Sequence, residues 1–245
     1  MLVTVITVCR NSAATIRDTL NSVLAQTYPQ IEYLVIDGCS TDGTLDILHS
    51  YKEAFSRKGY GYRIISEPDQ GIYDAMNKGI ALAQGELIGI INSDDWYEPQ
   101  AVRAAAEAYL REPYDIFYGH LNLVRGDGSV MVKRSRLDRF PSSRHWNHPT
   151  TFVPKAVYDT LGGYRCRTLY DDFDMLLRLR RKGRRVHICD QILANFRTGG
   201  ISTQKRLGPC LRRMAARYRC YRDNGYSRLY FLECAAMETA KFILS

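Results

Sequence analysis

Residues 85–96 read GELIGIINSDDW, and this stretch decides the fold. The segment Leu87–Asn92 carries no charge and is almost wholly apolar, as expected for a strand buried on both faces of a sheet. Ser93, Asp94 and Asp95 follow at once, so two adjacent carboxyl groups stand where the strand ends. The stretch therefore predicts a central strand with ionisable side chains at its carboxyl end.

The residues before this stretch repeat the same pattern three times. Each apolar run is followed by a segment whose apolar residues recur with the helical period. The predicted strands are Val3–Cys9, Ile31–Asp37 and Tyr62–Ser66. The predicted helices are one with its N-cap at Asn11 or Ser12 and apolar positions Ile16, Leu20, Val23 and Leu24, followed by Leu45–Phe55 and Gly71–Ala83. With Pro99–Leu110 as a fourth helix, this succession predicts a mostly parallel, doubly wound, Rossmann-like α/β sheet with helices on both faces.

Polar clusters follow all four predicted strands. They are CRN at 9–11, DGCSTD at 37–42, EPDQG at 67–71 and NSDD at 92–95. Because ligands of doubly wound sheets bind beyond the carboxyl ends of the strands, these clusters predict a ligand site. Asp37 is a candidate for contact with a base or ribose, whereas Asp42 is better explained as a helix cap.

The second half of the chain is less regular. We expect a hairpin turn at Gly126–Gly128, a helix that opens with three acids, and a separate basic helical segment from Gln204 onward. The further predicted elements are strands at Asp115–Val124, Ser129–Val132, Val186–Ile188 and Ile192–Phe196, a helix at Asp171–Lys182, and helices from Gln204 onward.

The composition is that of an ordinary globular protein, with 45% hydrophobic and 24% charged residues. The N-terminal segment has no basic region before its short apolar run, which favours a strand over a signal peptide. No run approaches the roughly 18–20 apolar residues of a membrane-spanning helix, so we expect a cytoplasmic protein. The seven cysteines include no C-x-x-C pair, which favours free thiols over a zinc site.

The net charge of +8 is unevenly distributed along the chain. Residues 1–125 contain 10 Lys and Arg against 16 Asp and Glu, whereas residues 126–245 contain 24 against 10. This asymmetry suggests that metal and neutral ligands bind to the acidic half and anionic partners to the basic half. Drift of surface charge without function is the alternative explanation.

Asp94 and Asp95 are candidate metal-binding residues. Adjacent carboxylates in a site for an anionic ligand repel each other unless a cation joins them. Mg²⁺ and Mn²⁺ suit a few hard oxygen ligands together with the phosphates of a substrate. Taken alone, however, the pair is better explained by one carboxylate that caps the next helix and another that lies in solvent.

Five segments, in their order and spacing, resemble the family 2 glycosyltransferases with the A-type fold. They are VTVITVCRN, VIDGCSTDGT, EPDQGIYDAMNKGI, GELIGIINSDDW and YDDFDMLLR. The resemblance covers residues 3 to about 203. It implies a catalytic domain at 1–203, with a nucleotide-sugar-binding half (1–125) and an acceptor-side half (126–203), followed by a basic helical C-terminal extension at 204–245.

The resemblance also implies roles for individual residues. The expected donor contacts are Thr7, Cys9 and Asn11 at the nucleotide, Asp37 at the uracil or corresponding base, Asp69 and Asn77 at the base and ribose, and Ser93 and Asp94 in the metal motif, with Asp94 nearer the ribose. Asp95 matches the direct ligand of Mn²⁺ or Mg²⁺. Asp172 matches the catalytic base, while Asp171 or Asp174 is expected to stabilise its helix.

Two residues depart from the family's pattern. Asn92 stands where relatives often have an Asp, and Met76 where many have an Arg. His148 and Arg197 are expected to contact the acceptor or a phosphate. Thr198–Thr203 is expected to order over the donor diphosphate, with Lys205 nearby.

The reaction implied is inverting transfer of a sugar from a nucleotide-sugar donor, with a UDP-sugar favoured over GDP and dTDP donors. The acceptor would be a hydroxyl of a glycan or a lipid-diphosphate-linked acceptor, in synthesis of a cell-surface polysaccharide. A carboxylate base and a divalent cation suit this chemistry because a hydroxyl must lose its proton and a diphosphate must leave. A non-catalytic nucleotide-sugar or glycan-binding module and a nucleotidyltransferase are the alternatives.

The basic segment 204–245 holds nine Lys and Arg and three acids, interleaved with aromatic residues. Such a segment is typical of helices that bind an anionic membrane surface, here as a peripheral protein on the inner face of the plasma membrane. Packing of its Tyr and Leu residues on the catalytic domain is an equal alternative. Nucleic acid is not expected as a partner, since no nucleic-acid-binding motif occurs and the first half is acidic.

Overall fold

A computed structural model describes residues 1–199 and 207–244. Within these residues, nine strands form one sheet in the order β3-β2-β1-β4-β8-β6-β9-β5, with β7 paired to β6. The strands are β1 (Val3–Cys9), β2 (Ile31–Asp37), β3 (Gly61–Ser66), β4 (Leu87–Ile90), β5 (Trp96–Tyr97), β6 (Ile116–Val124), β7 (Val130–Lys133), β8 (Phe152–Pro154) and β9 (Val186–Arg197). The helices are α1 (Ile16–Leu24), α2 (Thr44–Ser50), α3 (Lys52–Lys58), α4 (Ile72–Leu82), α5 (Ala101–Arg111), α6 (Lys155–Leu161), α7 (Asp171–Arg181), α8 (Leu207–Asp223) and α9 (Tyr230–Leu244).

The first four strands form the parallel part of the sheet. β1 pairs with β2 and with β4, and β2 pairs with β3, all in parallel. Beyond β4 the sheet is mixed, because β8 runs antiparallel to β4 while β9 runs parallel to β6. The predicted α/β sheet, with parallel strands and helices on both faces, is confirmed.

Two apolar cores cover the two faces of the sheet. Along β1, Val3 and Val5 pack with α1, α3 and α5 on one face, and Ile6 and Val8 pack with α4 and α7 on the other. This alternation follows from the period of two in a strand. Gly79 lets α4 lie close to the sheet, because a Cβ at that position would come within 2.6 Å of Ile6 Cγ2.

The two C-terminal helices pack on the core beneath α7. Tyr221 is fully buried and stacks on Tyr230, with their ring centroids 4.1 Å apart. Arg213 and Arg217 are buried as well, and both pair with the buried Glu238. The tyrosines of the basic segment therefore pack against the rest of the protein, as one of the two alternatives predicts. Its leucines Leu211, Leu229 and Leu232 do not follow that alternative, since they are exposed.

Three predicted elements differ from those observed. The helix predicted at Leu45–Phe55 is two helices, since the N–H of Tyr51 bonds to Leu48 in a tighter turn. The two short strands predicted at Val186–Ile188 and Ile192–Phe196 form a single strand, β9. The polar residues between them lie in a bulge opposite His120. Neither Asn11 nor Ser12 caps α1, which begins after Thr15 without a side-chain cap.

The predicted loop Thr198–Thr203 lies partly, and the predicted boundary at 203/204 wholly, outside the described residues. No helix in the described part of the chain is long and apolar enough to cross a membrane.

Candidate functional site

The loops after β1, β2 and β4 meet at one edge of the sheet. The backbone N–H of Asn11 donates to Ser40 Oγ at 2.8 Å, and Asn11 Oδ1 accepts from the N–H of Thr41 at 2.8 Å. The hydroxyls of Ser12 and Ser93 lie 2.8 Å apart. The predicted residues Asn11 and Ser93 are thus brought together at the carboxyl ends of parallel strands, where a ligand site is expected.

Asp37 braces the loop that follows β2. It is fully buried, and it accepts hydrogen bonds from the N–H of Ser40 (3.0 Å), the hydroxyl of Ser40 and the hydroxyl of Ser66 (2.6 Å). The thiol of Cys9 lies 3.6 Å from Asp37 Oδ1, and burial together with this carboxylate raises the pKa of Cys9. Contact of Asp37 or Cys9 with the donor stays a prediction.

Thr7 lies two residues inside β1, away from the edge. Its side chain is fully buried, and its hydroxyl accepts a hydrogen bond from Tyr33 at 3.0 Å. This burial argues against the predicted contact of Thr7 with a nucleotide.

Asp69 lies across the loop after β2. A Cβ on Gly38 would come within 2.3 Å of Asp69 Oδ2, so only glycine allows this close approach. Asp69 Oδ1 accepts from the N–H of Gly71 at 2.9 Å, and the side chain is partly exposed. Asp69 is therefore a partly exposed carboxylate at this edge of the sheet.

Asn77 joins α4 to the loop before α7. Its amide nitrogen donates to the carbonyl of Tyr164 at 2.8 Å, and its amide oxygen accepts from the N–H of Tyr164 at 2.8 Å. Both ends of the side chain are engaged within the protein. This argues against the predicted contact of Asn77 with the base or ribose.

Asp95 has the most unusual environment at the edge. It is 0% exposed, and Oδ1 accepts from the N–H of Arg197 at 3.1 Å. Oδ2 is buried and has no hydrogen-bond partner among the described residues, and neither has the buried Oδ1 of Asn92. Burial, and secondly the charge of Asp94, raises the pKa of Asp95 well above its usual range.

These oxygens fit a divalent cation. A buried carboxylate oxygen without a partner is costly, and a hard cation would satisfy it. No cluster of three or more His, Cys, Asp or Glu that could hold a metal occurs in residues 1–199 and 207–244. A cation at Asp95 would therefore complete its coordination with water or with a ligand's phosphates.

Arg197 places a positive charge beside the acidic pair. Its guanidinium lies 5.0 Å from the ring centroid of Trp96 and donates to Asp18 Oδ2 at 2.7 Å and to the carbonyl of Asp94 at 3.3 Å. Burial raises the pKa of the half-buried Asp94, and Arg197 opposes that shift. Contact of Arg197 with a phosphate or acceptor stays a prediction.

The three acids that open α7 have different surroundings. Asp171 is buried and accepts from the N–H groups of Arg167 and Thr168, both at 2.8 Å. Asp174 is buried as well, and it pairs with Arg178 at 3.0 Å. Both therefore fit the structural role expected for one of them.

Asp172 is the acid of this group with an open oxygen. Its Oδ1 accepts from the hydroxyl of Tyr73 at 2.9 Å and from the N–H of Phe173 at 2.8 Å. The side chain is only half-buried. Asp172 thus has the exposure that a base needs, whereas the carboxylates of its neighbours are held within the protein.

His148 lies in the same small cleft as Asp172. His148, Tyr158, Tyr164 and Asp172 line this cleft, and His148 Nε2 is 3.1 Å from the hydroxyl of Tyr164. Burial lowers the pKa of His148, and the charge of Asp172 opposes this shift. The lowered pKa favours the neutral form of this histidine.

Tyr73 is a site residue that the sequence reasoning missed. It lies within the quoted segment EPDQGIYDAMNKGI, but neither its charge nor its spacing to the acids marks it. The sequence does place Tyr73 four residues before Asn77, and therefore on the same face of a helix. In the structure both side chains bond to the loop before α7.

Comparison with known proteins defines the class. Residues 4–169 match the family model described as Glycosyl transferase family 2, and the chain belongs to this family. A "PGL/p-HBAD biosynthesis glycosyltransferase" of Mycobacterium tuberculosis is 34% identical over 170 residues, which cover 67% of this chain and 65% of that relative. The matched segment thus spans just under two thirds of the relative's length.

Two solved structures share the fold. S. aureus TarS 1-349 in complex with UDP has a TM-score of 0.69 and 17% identity, and the match covers 100% of this chain and 72% of TarS 1-349. The mannosyltransferase PcManGT from Pyrobaculum calidifontis, in complex with GDP-Man and Mn²⁺, has a TM-score of 0.67 and 17% identity, with 98% and 70% covered. At such low identity these likenesses establish the fold alone.

Proposed function

We propose that this chain transfers a sugar from a nucleoside-diphosphate sugar to a hydroxyl group, with inversion at the anomeric carbon. The observation that carries the proposal is Asp95 Oδ2, a buried carboxylate oxygen without a hydrogen-bond partner among the described residues, at the ligand-binding edge of the sheet. Membership of the glycosyltransferase family 2 supports the reaction class.

In this proposal, Asp95 holds Mn²⁺ or Mg²⁺, with Asn92 Oδ1 as a second buried oxygen that needs a partner. The cation would supply positive charge for the diphosphate that leaves with the broken glycosidic bond. The Mn²⁺ in the structure of PcManGT supports this assignment. The guanidinium of Arg197 adds a second positive charge next to Asp94.

Asp172 is the proposed base. The hydroxyl of the acceptor attacks the anomeric carbon from the face opposite the leaving diphosphate, and its proton passes to the open oxygen of Asp172. One displacement suffices, so no covalent intermediate with the protein is needed. The full engagement of Asp171 and Asp174 supports the choice of Asp172.

A UDP-sugar is the favoured donor, and the UDP bound to TarS supports it. GDP- and dTDP-sugars are the alternatives, and PcManGT binds GDP-Man. Because Asp37 is satisfied by Ser40 and Ser66, we assign it to shaping the loop around the base. Asp69, which is partly exposed, is then the carboxylate left to contact the base or ribose.

The proposed acceptor is a glycan or lipid-diphosphate-linked hydroxyl, met at an anionic membrane surface. At the tip of the C-terminal helices, Leu229 and Leu232 are 73% and 67% exposed, and the neighbouring Arg228 is exposed as well. Exposed leucines beside arginine suit the interface of an anionic bilayer.

Vesicle flotation tests the membrane surface. Wild type should float with phosphatidylglycerol vesicles and not with phosphatidylcholine vesicles, and Leu229→Ser combined with Leu232→Ser should abolish flotation. Leu110→Ser, at a leucine 65% exposed on α5, is the matched control and should float like wild type. A wild-type protein that stays in the soluble fraction with both vesicles would rule out this surface.

Donor turnover tests the enzymatic proposal. With UDP-N-acetylglucosamine and GDP-mannose as probes, wild type should release UDP or GDP only when Mn²⁺ or Mg²⁺ is present, and Asp95→Asn should not. The control Asp159→Asn, on the exposed side of α6, should behave like wild type. Tight binding of a nucleotide sugar without any release would favour the non-catalytic binding module instead.

A further inference from the structure

The helix α4 touches the proposed base directly through Tyr73. Its hydroxyl lies 2.9 Å from Asp172 Oδ1 and 3.0 Å from the carbonyl of Leu169. Its ring packs against Tyr164, with the centroids 5.2 Å apart. Burial, and then the charge of Asp172, raises the pKa of Tyr73 well above its usual value, so the hydroxyl keeps its proton and can donate.

The two oxygens of Asp172 are therefore not equivalent. Among the residues that the structure describes, Tyr73 and the N–H of Phe173 (2.8 Å) both donate to Oδ1, and Oδ2 accepts no hydrogen bond. Two directed hydrogen bonds to one oxygen fix the plane of the carboxylate. Proton abstraction depends on such alignment, because the base must lie within hydrogen-bond reach of the acceptor hydroxyl.

The start of α4 is also tied to the donor side of the site. Asp69 accepts from the N–H of Gly71 at 2.9 Å, and Asp74 accepts from the N–H of Gln70 at 3.0 Å, so the loop with Asp69 is fixed to the first turn of α4. Tyr73 lies in that same turn. The first turn of α4 thus connects Asp69 to Asp172.

We propose that Tyr73 is a positioning residue for the base. It orients Asp172 so that Oδ2 takes the proton of the acceptor hydroxyl, and it links that orientation to the donor side through the first turn of α4. The inference rests on the proposed function, because it requires Asp172 to be the base. Tyr73 itself exchanges no proton and contacts no reacting atom.

Tyr73→Phe tests the inference, because it removes the hydroxyl and keeps the ring contact with Tyr164. In full-length protein, with the nucleotide sugar that wild type turns over, kcat should fall about tenfold to a hundredfold, the loss of a hydrogen bond to a charged group. The KM for the donor should stay unchanged. In the Asp172→Asn background, Tyr73→Phe should cause no further fall in kcat, because Tyr73 acts only through that carboxylate.

The matched control is Tyr62→Phe. The hydroxyl of Tyr62 donates to the carbonyl of Leu48 at 3.0 Å, and its removal should leave kcat unchanged. Wild-type kcat in Tyr73→Phe would overturn the inference. So would a further tenfold fall in the Asp172→Asn background, because a loosened loop lowers kcat with or without the base. The proposed function fails separately, if Asp172→Asn keeps wild-type turnover.

Discussion

The edge of the sheet that we propose for the donor (the donor side) and the region around α7 that we propose for the acceptor (the acceptor side) hold their acids in different ways. At the edge, Asp95 is buried with one oxygen unpartnered among the described residues, so the site carries an unfavourable charge. Around α7, Asp171 and Asp174 are buried but surrounded by donors, and Asp172 is half-exposed. This difference suggests that the carboxylate of Asp95 needs a cation, whereas the acids at the start of α7 do not.

The support for the two regions differs as well. The edge is built from loops that follow parallel strands and bond to one another, as between Asn11 and Ser40. The acceptor side depends on the C-terminal helices: Arg217 lies 4.5 Å from the ring centroid of Tyr170, and Cys220 donates to the carbonyl of Tyr170 at 3.5 Å. The C-terminal helices thus help to fix the start of α7, which carries Asp172.

Removing the proposed base should have the largest effect. Asp172→Asn should lower kcat by about 10²–10⁴, the range for general base catalysis, because the amide cannot take the proton of the acceptor. Binding of the nucleotide with Mn²⁺, measured by calorimetry, should not change. Loss of nucleotide binding in this variant would instead place Asp172 on the donor side and break the comparison.

Breaking the buried charge cluster should destabilise the acceptor side. Glu238→Gln removes the carboxylate that Arg213 and Arg217 share, and loss of one partner from a buried ion pair costs about 3–5 kcal/mol of unfolding free energy. Urea unfolding measures this loss, with the exposed Glu53→Gln as control. A loss no greater than that of the control would show that the C-terminal helices do not support this region.

Removing the buried charge of Asp95 should raise the free energy of unfolding, by less than Glu238→Gln lowers it. Because the pKa of Asp95 is raised on folding, its contribution favours the folded state below the unfolded pKa of about 4, and is lost as the pH rises through the folded pKa. In EDTA at pH 7, Asp95→Asn should therefore be more stable than wild type by about 1–3 kcal/mol.

Urea unfolding between pH 4 and 8 measures this effect. The variant should show a flatter dependence of stability on pH, and Mn²⁺ should stabilise wild type alone. If Asp95→Asn is less stable than wild type without metal at pH 7, the carboxylate is not the unfavourable charge proposed here.

The donor region was largely predictable from sequence. The apolar runs Val3–Cys9 and Ile31–Asp37 form the expected strands. A strand that is buried on both faces consists almost wholly of apolar residues, so it can be recognised in the sequence. Their parallel pairing then carries the polar clusters to one edge. The hydrogen bond between Tyr33 and Thr7 could not be predicted, because strand periodicity gives the face on which a side chain lies but not its partner.

The acceptor region was less predictable because its contacts join residues far apart in sequence. Asn77 bonds to Tyr164 and Tyr73 to Asp172, so neither local spacing nor charge reveals them. Likewise, the sequence places Arg213 and Arg217 in a basic segment that could be a surface. In the structure both are buried, where they pair with Glu238 of the next helix.

The most direct test of the account is calorimetric titration of UDP, GDP and dTDP, with and without Mn²⁺, into wild type and Asp95→Ala. The account predicts that one nucleotide binds to wild type only with Mn²⁺, and that Asp95→Ala abolishes this binding. Equal Mn²⁺-dependent binding to both proteins, or no binding of any nucleotide to wild type with Mn²⁺, would contradict the assignment of the donor site to this edge of the sheet.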